Sequence, residues 1–474
     1  MERLTLELAI EALTGIVLPG PGAALRDAVV DSREVSPGAL FIALAGEQTD
    51  GHDYVAQAFE RGARAALVER DRLGDWPVID TRGPLPAGLT VPAKACLRVA
   101  NVPAALQQIA RYWRSKLPVR VIGITGSLGK STTKEVAAEL LERRYRTLKN
   151  PGNLNNEIGL PLTVLKLSEF HSRAVLEMGF YVPGEIALLC DIARPQVGVV
   201  TNIGPSHLER AGSMDAIVAG KSELVEALPP APDGVAILNY DDERVRAMAS
   251  RTRARAFFYG LGSQADLWAD QIVGLGLDGV RFVLHHGREH EHIRVPMLGQ
   301  HSVHTALRAA AIALVEGLSW EEILTGLQST HAQLRLVAVP GPGGSILLDD
   351  TYNAAPESTI AALNLLSELD GRRLAVLGDM LELGSYEEAG HRMVGARAAA
   401  VADELLTVGR RARWIAEEAI RAGLPASHVS QVESVPQAIE VLRAGVGAGD
   451  VVLVKGSRGM RMDQIVDELA EGRS

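Results

Sequence analysis

The segment 121–135 (VIGITGSLGKSTTKE) carries the residue types best suited to chemistry in this chain. A buried strand is predicted over 119–124 and a helix over 131–145, with a glycine-rich turn between them. In that context backbone N–H groups, the helix N-terminus and Lys130 would bind phosphates, and Ser131 would hold Mg²⁺. The predicted nucleotide-binding residues of this loop are Thr125, Gly126, Ser127, Gly129, Lys130, Ser131 and Thr132.

The spacing of this loop departs from the strict phosphate-loop pattern. Ile124 stands where the first glycine is expected, and Gly123 and Gly126 lie on either side of it. An ordinary glycine-rich strand–helix turn is therefore the alternative interpretation. The Lys-Ser-Thr-Thr sequence that follows favours the phosphate loop.

Candidate magnesium ligands follow two predicted strands downstream of the loop. Glu177 ends the run AVLEMG, while Asn202 and His207 follow the run VGVVTN. Open α/β sheets place their sites at the carboxyl ends of strands, and Mg²⁺ takes oxygen ligands. Taken singly, each residue also fits a structural role, because a strand-end Glu is often solvated and a lone His is more often structural.

Two further motifs of the middle segment have competing interpretations. Lys221 lies in the helical run AIVAGKSELVEAL, whose periodicity by itself favours a surface lysine. The run GNLNNEIGLPLTVL contains Asn153, Asn155 and Asn156, whose amides suit recognition of amide and hydroxyl groups on a substrate. An Asx-turn is the structural alternative for these asparagines.

The last third of the chain repeats the pattern of polar residues after a strand. The run LLDDTYNAAPES contains two acids followed by Tyr352 and Asn353, and the run LVKGSRGM presents Lys455, Ser457 and Arg458. Two cations with a hydroxyl suit an anionic group such as a carboxylate. The alternative is a basic turn on the surface.

Strands and helices alternate along the whole chain, which predicts an α/β protein of three domains. We place the domains at 1–85, 86–332 and 333–474, with the Pro- and Gly-rich stretch 75–93 at the first boundary. The middle domain is predicted to contain a mostly parallel sheet. Residues 256–297 have a strand–turn–strand texture that predicts a small antiparallel annex.

One motif in this annex imitates a dinucleotide-binding fingerprint. Residues 274–279 (GLGLDG) match G-x-G-x-x-G, but VRFVLHH follows, which is a strand pattern rather than a helix. The strand–turn–helix context that the fingerprint requires is missing. We therefore predict a hairpin turn.

Composition excludes several classes of protein. Hydrophobic residues make up 47% of the chain and no run approaches the roughly 18 apolar residues of a membrane span. The formal net charge of −10 argues against nucleic acid as a partner. The first residues lack the basic-then-apolar order of a signal peptide, and Cys96 and Cys190 form neither a disulfide framework nor a zinc pattern. A cytoplasmic protein is predicted.

Together these motifs resemble the Mur ligase family of ATP-dependent amide-bond-forming enzymes in peptidoglycan precursor synthesis. ITGSLGKSTTKE resembles the family's phosphate loop. DSREVSPGALFIALAGEQTDGHDYV resembles its UDP-binding N-terminal domain, with Ser32 and Arg33 as UDP-muramyl contacts. The resemblance makes Glu177 and His207 magnesium ligands and Lys221 the lysine that several members carbamylate. It implies a catalytic role for Lys130, Lys221 and His207, in which the carbamate is a further metal ligand.

The resemblance extends into the C-terminal third, with one departure. Arg335 and Asp350 match nucleotide-contacting residues brought in by the family's Rossmann-like C-terminal domain. LGQHSVHTALRAA corresponds to a segment that usually reads G-x-H-N-x-x-N. His301 is retained as a nucleotide contact, but Ser302 and Thr305 replace both asparagines. Contacts to the adenine region at Thr305 are therefore in question.

Within the family, DDTYNAAPES, GNLNNEIGLPLTVL and VLGDMLELG most resemble the member that adds D-alanyl-D-alanine to UDP-N-acetylmuramoyl-tripeptide. The resemblance implies ATP and Mg²⁺ as cofactors, an acyl-phosphate mechanism, small-molecule substrates and a monomer. It leaves open whether the tripeptide ends in diaminopimelate or lysine. A folylpolyglutamate synthase or a sibling Mur enzyme is one rival. A GTPase-type switch is another, but the N-K-x-D guanine motif does not occur.

Overall fold

The computed structural model describes residues 4–19, 22–46, 49–70, 74–330 and 336–471. Three separate sheets, of five, nine and six strands, follow one another along the chain, and helices alternate with most strands. The predicted three-domain α/β class is confirmed in this arrangement. None of the helices in the described ranges combines the length and apolar character needed to cross a bilayer.

The first sheet is wholly parallel, in the order β1-β2-β3-β5-β4. It does not stop at the boundary predicted near residue 85, because β5 lies beyond that position and pairs with both β3 and β4. The Pro- and Gly-rich stretch is thus a connection within this sheet. Its elements are α1 (Leu6–Thr14), β1 (Ala28–Val29), β2 (Leu40–Ile42), α2 (Val55–Glu60), β3 (Ala65–Val68), β4 (Val78–Asp80) and β5 (Ala95–Arg98).

The first half of the central domain supplies the strands that carry the phosphate loop and the candidate metal ligands. Its elements are α3 (Val102–Ser115), β6 (Arg120–Thr125), α4 (Lys130–Glu142), β7 (Thr147–Lys149), α5 (Gly159–Leu165), β8 (Arg173–Glu177), α6 (Glu185–Ala193), β9 (Val197–Val200), α7 (Leu208–Ala211) and α8 (Met214–Glu226). β6 pairs in parallel with β8 on one side and with β9 on the other. The carboxyl ends of these three strands therefore meet at one edge.

The second half of the central domain continues the same sheet. Its elements are β10 (Val235–Asn239), α9 (Glu243–Ala247), β11 (Arg255–Gly260), β12 (Leu267–Gly274), β13 (Val280–His286), β14 (Glu289–Val295), α10 (Ser302–Val315) and α11 (Trp320–Gln328). The order is β14-β13-β12-β11-β10-β9-β6-β8-β7. β13 pairs antiparallel with both β12 and β14, so the predicted antiparallel annex is a continuation of the central sheet. GLGLDG joins β12 to β13, and the hairpin is confirmed.

The C-terminal sheet has the order β15-β16-β20-β17-β18-β19, and only the β15–β16 pair is antiparallel. Strands β16 and β20 lie side by side, so their polar carboxyl ends are neighbours. The elements are β15 (Val337–Pro340), β16 (Ile346–Asp350), α12 (Pro356–Ser367), β17 (Arg372–Gly378), α13 (Glu387–Val401), β18 (Glu404–Val408), α14 (Arg413–Arg421), β19 (Val429–Val432), α15 (Val435–Gly445), β20 (Asp450–Lys455) and α16 (Asp463–Leu469).

The position of β6 explains why its sequence is almost continuously apolar. Val121 packs into the hydrophobic core on one face of the sheet, whereas Ile122 and Ile124 pack into the core on the other face. Strands buried on both faces by helices need apolar residues at every position. The first polar residues after β6 can then only lie at its carboxyl end, where the phosphate loop begins.

Candidate active site

The phosphate loop has the backbone shape that its glycines allow. Gly126 has φ 141° and Gly129 has φ 78°, and a Cβ on Gly126 would lie 1.9 Å from the Thr201 hydroxyl oxygen. α4 begins immediately afterwards, at Lys130, so its free N–H groups point toward the loop. The Lys130 ammonium donates to the carbonyls of Gly126 at 2.8 Å and Ser127 at 3.2 Å. The arrangement is suited to binding phosphates.

The segment after β9 holds the loop in place. The side-chain oxygen of Asn202 accepts from the Leu128 N–H at 2.8 Å. The Ser127 hydroxyl donates to the Gly204 carbonyl at 3.0 Å and accepts from the Gly204 N–H at 2.8 Å. Asn202, which the sequence singled out near the metal ligands, thus shapes the phosphate loop.

Glu177 lies at the carboxyl end of β8 with its carboxylate next to this loop. One carboxylate oxygen accepts from the Ser131 hydroxyl at 2.5 Å, and the other accepts from the Asn155 amide at 2.8 Å. The Glu177 main chain is fixed by Asn150, a buried residue whose amide bonds both its N–H (2.9 Å) and its carbonyl (3.3 Å). The side-chain oxygens of Ser131 and Glu177 therefore stand together, as a shared magnesium site requires.

Lys221 is buried, with 1% of its surface exposed, which rules out the surface-lysine interpretation. Its ammonium donates to the Gly126 carbonyl at 3.0 Å and lies 4.7 Å from the centre of the Phe180 ring. Burial, followed by the charge of Lys130, lowers the pKa of Lys221 well below its usual value. The amine is thereby favoured in its neutral, nucleophilic form.

His207 connects the central and C-terminal domains. Its Nδ1 lies 2.5 Å from a carboxylate oxygen of Glu382, and Arg210 lies 3.4 Å from the other oxygen. Burial, then the charge of Lys130, lowers the pKa of His207, whereas Glu382 raises it. A carboxylate on one ring nitrogen orients the other nitrogen for a ligand, as in many metal sites.

The C-terminal wall is formed by the ends of β16 and β20. Lys455 is 2% exposed and its ammonium donates to the Asp350 carboxylate at 2.6 Å and to the Asn353 carbonyl at 2.8 Å. The Ser457 hydroxyl accepts from the Leu381 N–H at 2.8 Å. Arg458 is exposed, and its guanidinium lies 5.5 Å from the centre of the Tyr352 ring. Of this predicted cation group, Arg458 is the member most open to an incoming anion.

A single cavity of about 610 Å³ joins these groups. It is bordered by the phosphate loop, the asparagine loop, the start of α10 and the strand ends of the C-terminal sheet. The predicted site residues that line it are Ser127, Gly129, Lys130, Ser131, Thr132, Asn153, Asn155, Glu177, His207, His301, Asp350, Tyr352, Asn353, Lys455, Ser457 and Arg458. Residues far apart in sequence are therefore brought to one place.

Other predicted site residues lie elsewhere. Thr125 and Gly126 form the base of the loop, and the Thr125 hydroxyl donates to the Met178 carbonyl at 3.1 Å. Asn156 does not line the cavity; its side-chain oxygen accepts from the Gly159 N–H at 2.8 Å, at the start of α5, which supports the structural alternative. Ser32 and Arg33 also lie outside the cavity.

The side chains of the two predicted UDP contacts, Ser32 and Arg33, already bind neighbouring residues within the first domain. The Ser32 hydroxyl donates to the Gln57 side chain at 2.6 Å, and Arg33 pairs with Asp31 at 2.6 Å. Hydrogen bonds from Arg33 lower the pKa of Asp31 to about 2. Arg335, the predicted nucleotide contact at the start of the third domain, lies outside the described residues.

Comparison with known proteins agrees with this geometry. Three profiles match: the Mur ligase family, catalytic domain over 29–114; the Mur ligase middle domain over 124–313; and the Mur ligase, glutamate ligase domain over 334–458. Together they cover more than half of the chain. The chain belongs to the Mur ligase family.

Relatives within this Mur ligase family match nearly end to end. The UDP-N-acetylmuramoyl-tripeptide--D-alanyl-D-alanine ligase of Bacillus subtilis (strain 168) is 36% identical, over 94% of this chain and 93% of the relative. The enzyme of the same name from Escherichia coli (strain K12) is 34% identical, over 99% of each chain. A crystal structure of MurF from Acinetobacter baumannii superposes with a TM-score of 0.82 at 30% identity, covering 99% of both chains. MurF from Thermotoga maritima, solved in complex with ADP, gives a TM-score of 0.78 at 27% identity over 93% of this chain and 96% of that one.

The residues at the phosphate loop fit a magnesium ion only in part. Ser131 and Glu177 supply neighbouring oxygens, and His207 presents a ring oriented by Glu382. Within the described ranges, no three His, Cys, Asp or Glu side chains form a ready metal cluster. Lys221 fits such a site as an anionic carbamate and not as an ammonium, because only the former offers oxygen ligands.

Several residues at this site were not predicted from the sequence. Lys134 is buried and donates to the carbonyls of Asn150 at 2.7 Å and Gly152 at 2.9 Å, so it shapes the asparagine loop. Glu382 lies in VLGDMLELG and Arg308 in LGQHSVHTALRAA, but neither motif by itself predicts that these two side chains reach the site. A signal existed for Lys134, since it lies one helical turn after Lys130 on the same helix.

Proposed function

We propose that this chain joins D-alanyl-D-alanine to UDP-N-acetylmuramoyl-tripeptide at the expense of ATP, as its relatives' names describe. The tripeptide carboxylate attacks the γ-phosphorus of ATP, the bond from that phosphorus to the β–γ bridging oxygen breaks, and ADP leaves. The dipeptide amine then attacks the carbonyl of the acyl phosphate, loses a proton, and inorganic phosphate departs. The product is a UDP-muramyl pentapeptide.

The observation that carries this proposal is the single cavity between the phosphate loop and the strand ends of the C-terminal sheet. A reaction between three substrates requires one enclosed space in which a phosphate site and an amine site face each other. Here the phosphate loop forms one wall and the DDTYNAAPES and KGSR segments form the other. Both walls have charged groups that complement an anionic transition state.

In this proposal Lys130 and the first N–H groups of α4 neutralise the phosphates as charge moves onto ADP. Mg²⁺ would supply further charge neutralisation there, held by Ser131, Glu177 and His207. The hydroxyl oxygen of Ser131 and a carboxylate oxygen of Glu177 are already in hydrogen-bond contact, which supports a shared metal site. His301 and Asp350, which also line the cavity, are proposed nucleotide contacts along with the loop residues.

We propose that Lys221 acts as a carbamate. Its neutral amine would add to CO₂, forming an N–C bond and releasing a proton, so that a cation becomes an anion with two oxygen ligands. The low pKa and burial of Lys221 support this step, because an ammonium has no lone pair with which to attack. Lys221 does not line the cavity, but Phe180, whose ring it contacts, does.

The remaining proposals concern the substrate contacts, the cellular location and the oligomeric state. Asn153, Asn155, Tyr352 and Asn353 would contact the peptide parts, and Arg458, with Lys455 and Ser457 behind it, would bind the dipeptide carboxylate. Ser32 and Arg33 would contact UDP. We propose a cytoplasmic monomer that acts on small molecules and uses no nucleic acid.

The test is release of ADP and phosphate by the purified chain with ATP and Mg²⁺. Release should require both UDP-N-acetylmuramoyl-tripeptide and D-alanyl-D-alanine, and omission of either should abolish it. Tripeptides ending in diaminopimelate and in lysine, compared side by side, would identify the third residue. ADP release with a single amino acid as acceptor, and none with the dipeptide, would contradict the proposal in favour of a sibling ligase.

A further inference from the structure

Arg308 lies on α10 at the edge of the phosphate site, within the segment LGQHSVHTALRAA, and the sequence alone predicts no role for it. Its Nε donates to the Thr133 hydroxyl at 2.7 Å, and its Nη2 donates to the Thr305 hydroxyl at 2.9 Å. The residue is 4% exposed and borders the cavity. A permanently charged guanidinium is therefore held between α4 and α10 by two neutral hydroxyl groups.

This placement leaves the charge of Arg308 without a countercharge. No ion pair joins Arg308 to a carboxylate in the part of the chain that the structure describes. Removing such a cation from water is unfavourable unless an anion or several acceptors replace the water. A second buried arginine shows the structural solution: Arg114, also 4% exposed, donates to three main-chain carbonyls at 2.7, 2.8 and 2.7 Å.

Arg308 differs from Arg114 in what it faces. A Cβ built on Gly129 would lie 2.6 Å from the Arg308 Nη2, so the guanidinium adjoins the phosphate loop itself. The two threonine hydroxyls engage Nε and Nη2, and the guanidinium carbon lies 5.9 Å from the centre of the Tyr259 ring, so its described neighbours are neutral groups. Lys130 and the N-terminus of α4 lie at the same loop. Two cationic side chains and a helix N-terminus therefore adjoin the same loop, which favours an anionic ligand there.

The sequence of α10 explains why an arginine is accommodated at this point. Thr305 stands where related segments usually have asparagine, and its hydroxyl accepts a hydrogen bond from Arg308 Nη2 at 2.9 Å. Arg308 lies three residues later on the same helix face, and it extends past Thr305 toward the cavity. Thr305 thus becomes a hydrogen-bond acceptor that positions the guanidinium.

We propose that Arg308 binds the polyphosphate of the nucleotide directly and that Thr133 and Thr305 position it; this rests on the proposed use of ATP. The guanidinium supplies a second side-chain cation to the phosphates besides Lys130. Its planar fork can donate two parallel hydrogen bonds to phosphate oxygens. The chain therefore anchors its nucleotide from α10 as well as from the phosphate loop.

The experiment measures the Kd for ADP with Mg²⁺ by calorimetry at several salt concentrations. Arg308→Met should weaken ADP binding about 10- to 100-fold, which corresponds to the loss of a charge-assisted hydrogen bond. It should also reduce the dependence of Kd on salt, which a purely structural change would leave intact. Arg308→Lys should restore part of both, and Thr305→Val should weaken binding by a smaller factor.

Arg114→Met is the matched control, because it removes an equally buried arginine of α3 that lies outside the cavity lining. Its melting temperature should fall, while the Kd for ADP of the folded protein stays at the parent value. Should it not fold, Arg443→Met, on the surface of the C-terminal domain, takes its place. An unchanged ADP Kd and salt dependence in folded Arg308→Met would overturn the inference while leaving the ligase proposal standing. If the parent chain binds ADP through Arg308 but does not catalyse ligation, the inference about Arg308 stands and the ligase proposal is overturned.

Discussion

Lys221 in the central domain and Lys455 in the C-terminal domain are both buried lysines beside one cavity, but they are compensated differently. Lys455 has the Asp350 carboxylate at 2.6 Å and a carbonyl at 2.8 Å. Lys221 has one carbonyl at 3.0 Å and the face of an aromatic ring. No ion pair joins Lys221 to an acid among the residues described.

The difference indicates which wall changes its chemistry when ligands bind. A buried ion pair is nearly balanced within the protein, so the Lys455–Asp350 pair needs no countercharge from a ligand. A buried cation with no countercharge shifts its pKa or takes an anion from outside. On the central wall both buried cations lack a countercharge within the described part of the chain. Burial lowers the pKa of Lys221, and Arg308, we infer, binds phosphate.

The largest effect is expected for Lys221→Ala, which tests directly whether the two buried lysines differ in function. If the lysine acts as a carbamate, its loss should lower the rate of ligation by about three orders of magnitude or more, because an anionic metal ligand is removed. Added acetate should occupy the vacated space and restore part of the activity. The measurement is kcat for ligation with and without acetate.

Lys455→Ala is the contrasting variant. It removes the cation from beside Asp350 in a buried site, so the main effect should be a loss of about 3 kcal/mol in the free energy of unfolding. Acetate should not restore it. A fully active Lys221→Ala, or acetate rescue of both variants alike, would eliminate the distinction between the two lysines.

The next largest effect is expected at the metal ligands. Glu177→Ala and His207→Ala should each lower activity about 10- to 100-fold at low Mg²⁺ and recover partly at high Mg²⁺, because weakened binding responds to concentration. Glu382→Gln, which keeps a hydrogen-bond acceptor but no charge next to His207, should shift the Mg²⁺ dependence less. Identical Mg²⁺ titrations for the parent and all three variants would place the metal elsewhere.

A smaller, substrate-specific effect is expected on the C-terminal wall. Arg458 is exposed at the cavity, whereas Lys455 is already paired, so Arg458→Ala should raise KM for the dipeptide about 10-fold through loss of one charged hydrogen bond. KM for ATP should change little. Arg461→Ala, an exposed neighbour outside the cavity lining, is the control. Equal increases in both KM values for Arg458→Ala would point to domain closure instead.

Local pattern explains the parts of the site that the sequence could predict. The phosphate loop, the strand-end Glu177 and the polar ends of β16 and β20 all lie where a short apolar run stops, and such signals need no knowledge of distant residues. The family and its three-domain fold are confirmed for the same reason. The roles assigned to individual site residues and the boundary at 332/333 stay predictions, whereas the first sheet extends past the boundary predicted near residue 85.

The contacts that join distant segments could not be read from the chain. His207 meets Glu382 across 175 residues, and Arg308 meets Thr133 across the same separation. Lys221 is ambiguous in the sequence because a lysine on an amphipathic helix is usually solvated. In the structure α8 packs beneath the phosphate loop, so Lys221 and its neighbour Ser222 are buried. The strand at 95–98 was missed because a long Pro- and Gly-rich connection resembles a domain boundary.

The smallest effect at neutral pH is expected for His304, which shares the central wall with Arg308. Burial, then the charge of Arg308, lowers the pKa of His304 to about 4, and its Nδ1 is buried without a hydrogen-bond partner. The ring is therefore neutral at pH 7 in the folded protein. An unfolded histidine titrates near 6.5, so the unfolded state takes up this proton first as the pH falls.

The sign of the effect follows from that difference in pKa. Stability associated with His304 is fully present above about pH 6.5 and is lost as the pH falls toward 4, with a loss of about 2 kcal/mol by pH 5. His304→Gln should remove this part of the acid sensitivity in urea unfolding of the central domain between pH 7 and pH 5, while leaving stability at pH 7 almost unchanged. His428→Gln, an exposed histidine in the C-terminal domain, should keep the slope of the parent protein. A His304→Gln variant with the parent's slope would mean that the central wall already neutralises its own charges, and the contrast between the two walls would then rest on Lys221 and Arg308 alone.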